Sequence, residues 1–239
     1  MATHKSQWEG GTLTSTYRAD AVEARHDALD AAQESRWDDL LMLLHENATI
    51  SPNIWRLAGT EEEGELRKEQ EGDTAFWTPL HYAAFAGAST EVIEDVLSFG
   101  AWKSVRNGQG KRPVDLAKMQ NHAAIVPLLE PQFQVAIPQE DLELIQKRFH
   151  ELIHKIASSF VTKEKLRLPE LEPVAETGTT FWFPVPGMYG GFSYRFQKKE
   201  EEEGGFVLIS ESWCRVVEGS GQRWEVTKDS LKLLAEGFC

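Results

Sequence analysis

Two places in this chain carry residue types that could do chemistry. His150 and His154 enclose Glu151 in the string HELIH, the HExxH spacing that puts two imidazoles one helical turn apart with a carboxylate between them, as in zinc proteases. The second place is the run from Phe206 to Val217, where two-residue alternation sets Glu211, Trp213 and Arg215 on one strand face. A turn at Gly219 to Gly221 brings Trp224 beside it. With Val217 paired to Gln222, Arg215 lies opposite Trp224 in a cation–π contact and Glu211 stands farther along the same face. A carboxylate, a guanidinium and indoles together could serve as an acid/base site or recognise an anion or an amide. A Glu–Arg pair that only holds two strands together is the structural alternative.

Each constellation needs an element to aim it. Leu142, Ile145, Phe149, Leu152, Ile153, Ile156 and Phe160 recur at three- and four-residue spacing after Pro138, which predicts one long amphipathic helix. At about 100° per residue the apolar stripe centres near Phe149. Both histidines then fall off it, on the polar side with Glu143 and Lys147, so a solvated face is expected and no metal site. Beyond the helix, TFWFPV, GFSYRF, GFVLISESWCRVV and QRWEV are strand-like runs parted by Gly- or Glu-rich turns, an antiparallel meander. Phe181 to Tyr194 packs six aromatics, two prolines and three glycines into fourteen positions. Its PVPGMYGG core predicts a sharp turn from which Met188 and Tyr189 project. Either the aromatics fill a small β core, or Trp182, Trp213 and Trp224 line a ligand cleft with Glu211, Arg215 and Tyr189 as its catalytic groups.

The first half of the chain has another grammar. TPLHYAAFAGASTEVIEDVLSFGA, Thr78 to Ala101, combines a TPLHxAA turn, a Gly between two helices and a Leu-x-x-Gly-Ala exit. In KRPVDLAKMQNHAAIVPLL, Lys111 to Leu129, Pro113, Val114 and Ala117 match Pro79, Leu80 and Ala83, with Asn121-His122 in the Gly-His place. Upstream, Ala28, Ala31 and Ala32 repeat the small-residue first helix, and Leu40, Leu41 and Leu44 the apolar second. The stretch resembles the ankyrin repeat family, whose period is about 33 residues, and about three repeats are the minimum for a stable stack. The resemblance implies that His81 bonds turn backbone, and that the stack binds another protein through turn tips and a concave helical face. On that basis Trp102, Lys103, Val105 and Asn107 are the expected contacts. Trp102 stands where the family usually has Asp, which suggests an exposed anchor.

The expected organisation is a tail over 1–19, repeats over 20–131 with an acidic, solvated insertion at about 47–74, and a helix plus antiparallel β domain over 138–239. The fold class is α+β. With 38 acidic and 25 basic residues the net charge is −13, which disfavours nucleic acid and anionic membranes. No apolar run reaches the roughly 20 residues of a membrane span. Only Cys214 and Cys239 are present and the start has no signal-peptide core, so a cytoplasmic protein is expected. The leading expectation is a protein–protein recognition module without a cofactor. An enzyme or small-molecule binder built on the β domain is the alternative.

Overall fold

The computed structural model describes residues 6–47, 50–59, 74–199 and 205–238. They form two compact units, Thr12–Pro131 and the rest of the chain on either side of it. Both helices and a sheet are present, so the chain is α+β.

Thr12–Pro131 is helical. It contains α1 (Ala19–Gln33), α2 (Trp37–Glu46), α3 (Pro79–Ala86), α4 (Thr90–Ser98), α5 (Pro113–Met119) and α6 (Val126–Leu129). Local chemistry sets the boundaries. Pro79 opens α3 at its first turn, where no amide is wasted, and Gly87 ends it at φ +68°. Ser89 caps α4 by accepting from the Val92 amide at 3.4 Å. Helices pack in alternating register: α1 against α2 and α3, α3 against α4 and α5, α2 against α4, α5 against α6. Ala28, Ala31, Ala32, Ala83, Ala84 and Ala117 are buried, and their small side chains let the helix axes approach closely.

Part of the expected solvated insertion is core instead. Ile50, Ile54, Trp55, Leu57 and Ala58 are buried, and Ala58 forms a bridge to Leu13. The Asn53 side chain reaches the far turn, donating to the Gly100 carbonyl at 3.0 Å and accepting from the Trp102 amide at 2.7 Å. The densely charged part of the insertion, 60–73, lies outside the described residues.

The other unit is a six-stranded sheet in the order β1 to β6: β1 (Ser6–Gln7), β2 (Phe181–Val185), β3 (Gly190–Lys198), β4 (Phe206–Cys214), β5 (Gly221–Val226) and β6 (Leu231–Phe238). Strands β2 to β5 form the expected antiparallel meander, and β6, which the sequence reading did not include, extends it by one more antiparallel pairing. However, β1 joins β2 in parallel, so the sheet is mixed and the N-terminal stretch is no tail. The reason is Trp8, which is fully buried and whose indole donates to the Arg167 carbonyl at 3.0 Å.

One face of this sheet is covered by α7 (Gln139–Lys163) and α8 (Glu172–Thr177). The stripe of α7 buries Leu142, Ile145, Phe149, Leu152 and Ile153. Phe149 meets Tyr194 at 4.8 Å and Phe192 at 6.4 Å between ring centroids. No helix among the described residues is long and apolar enough to cross a membrane.

Candidate functional site

Strand alternation divides the aromatics of the sheet between two environments. Phe181, Phe183 and Val185 of β2 point into the core and are buried, which turns Trp182 to the opposite, outer face. Register then builds a row across that face, since Trp182 pairs with Ser193, Ser193 with Glu211, and Glu211 with Arg223. The Arg223 Nε donates to Glu211 Oε1 at 2.6 Å, with the two side chains 49% and 23% exposed. Two residues beyond Glu211 along β4, Trp213 brings its indole to 4.9 Å from that of Trp182, the planes inclined by 33°. The outer face thus carries two indoles, a hydroxyl and a paired carboxylate and guanidinium on adjacent strands.

The cleft expected from the sequence is not assembled as drawn. Trp224 pairs with Ser210, not with Arg215, and lies in the core face, where Lys155 Nζ sits 4.3 Å from its ring centroid. Strand β4 ends at Cys214, and Arg215 is exposed beyond it. The cause is local: Ser220 Oγ accepts from the Cys214 amide at 2.9 Å and donates to the Cys214 carbonyl at 3.0 Å. That closes a turn around the five residues from Arg215 to Gly219 and shifts β5 away from the expected register. The partner of Glu211 is therefore Arg223, which alternation in QRWEV places on the face opposite Trp224. The same alternation, applied to β5 alone, would have found it.

Tyr189 is 67% exposed at φ +56°, and its carbonyl accepts from the Arg215 amide at 3.1 Å. Its neighbour Met188, expected to project, is buried. With Arg215 off the sheet and Trp224 in the core, Tyr189, Glu211, Trp213 and Arg215 lose the geometric basis for an acid/base site.

The other sequence candidates also resolve. His154 is exposed, but His150 is partly buried, its Nε2 bonded to the Pro169 carbonyl at 2.8 Å. Burial pulls the His150 imidazole below its ordinary range, helped by the neighbouring His154. Among the described residues no group of three His, Cys, Asp or Glu is placed to hold a metal ion. In the helical unit, Trp102 is 5% exposed, and Val105 and Asn107 are buried as well, while Lys103 is partly exposed. Asn107 is a turn former: its Oδ1 accepts from the amides of Gln109 at 3.0 Å and Lys111 at 2.8 Å. Three of the four expected contact residues therefore hold the turn together and present no side chain to a partner.

His81 joins two turns. Its Nδ1 accepts from the Thr78 amide at 3.1 Å and lies 2.8 Å from Thr78 Oγ1, and its Nε2 meets the Lys111 carbonyl at 3.1 Å. Side chains that the sequence reading missed remain at the surface of the same unit: Phe85 near the end of α3 and Met119 at the end of α5, 44% and 58% exposed. The signal was present, because the two hold equivalent places after Ala83 and Ala117. No protein-family model matches this chain, and no curated protein matches it either.

Proposed function

We propose that Thr12–Pro131 is an ankyrin-type repeat stack that works as a protein-recognition module, with the sheet unit as its accessory domain. The observation that carries this reading is the apolar pair Phe85 and Met119. They stand at the same place in successive repeats, on the packed neighbours α3 and α5, and are exposed. Exposed Phe and Met side chains are among the residue types enriched at protein interfaces, and here they stand on packed neighbouring helices. Trp77 supports the patch from beneath, its ring 5.2 Å from that of Phe85. The next repeat fixes the end of α3 through His122 Nε2, 3.1 Å from the Phe85 carbonyl. A partner would meet a surface already ordered, which lowers the entropic cost of association. The His81 connection between successive turns supports the repeat reading in the same way.

The test is affinity capture on the full chain, followed by titration of each captured protein after separate purification. A true partner should bind the wild type, and a Phe85→Ser, Met119→Ser double variant should bind it about tenfold or more weakly, ~1.4 kcal/mol. Thermal melting of the variant should be close to that of the wild type. Full affinity in the double variant, or no protein that rebinds once purified, would overturn the proposal.

A further inference from the structure

The outer face of the sheet displays its side chains in an order that matches one class of ligand. Trp182, Ser193, Glu211 and Arg223 follow one another across four adjacent strands, and Trp213 adds its indole to that of Trp182. At ~4.8 Å between strands the row is about 14 Å long, the span of a short oligosaccharide. We propose that this face is a binding site for an uncharged oligosaccharide.

Sugar rings have an apolar face of C–H groups and a rim of hydroxyls. An indole offers the matching flat apolar surface, and its N–H can stay wet at the edge. The rim needs planar groups that donate and accept in pairs. Glu211 and Arg223 supply both, held side by side by their 2.6 Å hydrogen bond, and the Ser193 hydroxyl stands between them and Trp182. These groups sit on paired strands, so little order has to be acquired on binding.

Charge selects among ligands. Glu211 and Arg223 neutralise one another, and beside the row Arg195 and Glu225, either side of Ile209 on the same face, again carry one charge of each sign, while a chain of net charge −13 repels polyanions. For a cationic ligand the Glu211 carboxylate is already neutralised by Arg223 through a charge-assisted bond, which weakens its pull on a second positive charge. A proline-rich peptide inserts its rings into slots between aromatic side chains, and with centroids 4.9 Å apart Trp182 and Trp213 leave no slot between them.

The experiment uses the full chain with cellotriose, laminaritriose, maltotriose, mannotriose and tri-N-acetylchitotriose, each taken to about 10 mM. Binding is read by saturation-transfer NMR of the sugar protons and by tryptophan emission. At least one trisaccharide should bind saturably. Trp182→Ala and Trp213→Ala should each weaken that binding about tenfold, ~1.4 kcal/mol. Glu211→Gln, which keeps the shape of the side chain and its place in the sheet, should weaken it in the same direction without shifting the melt. Absence of saturable binding by all five sugars would overturn the proposal. So would undiminished binding by Glu211→Gln together with Trp213→Ala, or saturable binding of a proline-rich peptide at the two indoles in place of the sugars.

Discussion

Gly191 stands where a side chain has no room. A Cβ there would lie 2.1 Å from the Phe183 carbonyl oxygen, and one on Gly190 would lie 1.9 Å from that of Trp213. Neither glycine has a positive φ, so the requirement is close approach of β3 to both neighbouring strands and not a left-handed backbone. Gly191→Ala should therefore destabilise the sheet unit by about 3 kcal/mol or more, since backbone cannot yield as a flexible side chain does. Circular dichroism melts check this. Trp102 has an opposite lesson for substitution, because truncating a fully packed indole leaves a cavity: Trp102→Ala should cost about 3–5 kcal/mol, where an exposed anchor would have cost almost none. Its turn position was legible in the sequence, but its burial was not. It depends on Asn53, far away along the chain, whose amide bonds the backbone at Gly100 and Trp102. Arg215 is the control for both, exposed and beyond the strand, and Arg215→Ala should stay within about 0.5 kcal/mol of the wild type.

At the scale of elements, α7 was readable from Leu142 to Ile153, where apolar positions at helical spacing admit one buried face; at Ala157 (φ −131°, ψ 23°) the helix kinks, and Ala157 and Val161 are buried where Ile156 and Phe160 were expected. Strands β2 to β5 were readable for the same reason at a period of two, while β1 and β6 were not. Register was not, because it is set by turn chemistry: the Ser220 hydroxyl closing on Cys214 decides where β4 stops, and a shift there regroups every cross-strand neighbour. The outer-face row was thus only half legible: alternation gives the face of Glu211, Trp213 and Arg223, but which of them are cross-strand neighbours depends on the turn. Helix α7 also predicts a pH dependence. Burial lowers the His150 pKa from 6.5, so the unfolded chain binds this proton more readily than the folded one. Stability then rises with pH up to the unfolded value and is lost as pH falls below it. The groups facing His150 are the Pro169 carbonyl and His154. His150→Gln, which keeps a donor for that carbonyl, should flatten the fall in denaturation midpoint as the pH drops below about 6.5. An unchanged slope would assign the acid sensitivity to other groups.

For the whole molecule, the order of the chain matters more than any single motif. The sheet unit is discontinuous in sequence: it takes the chain through Gly11, loses it to the helical unit and receives it again at Gln132. Among the described residues its two pieces are fastened along Ser6 to Gly10. The Trp8 amide donates to the Trp182 carbonyl at 2.9 Å and the Arg167 amide to the Gly10 carbonyl at 2.7 Å. The Arg167 guanidinium lies 5.0 Å from the Trp8 ring centroid and bonds Glu170 at 2.5 Å. Composition gives no hint of this, because a short polar N-terminal stretch reads as a tail until its partners, more than a hundred residues later, are known. Each unit has its own core, so the two should open as separate cooperative units. Trp8→Ala removes a fully buried indole and should cost the sheet unit about 3–5 kcal/mol. Hydrogen exchange should then quicken in β2, β3 and α7 while α3 and α5 keep their protection. Trp102→Ala should give the reverse pattern. Equal loss of protection in both units from either substitution would mean that the molecule opens as one cooperative body, and that the N-terminal strand contributes to the stability of the helical unit as much as to that of the sheet.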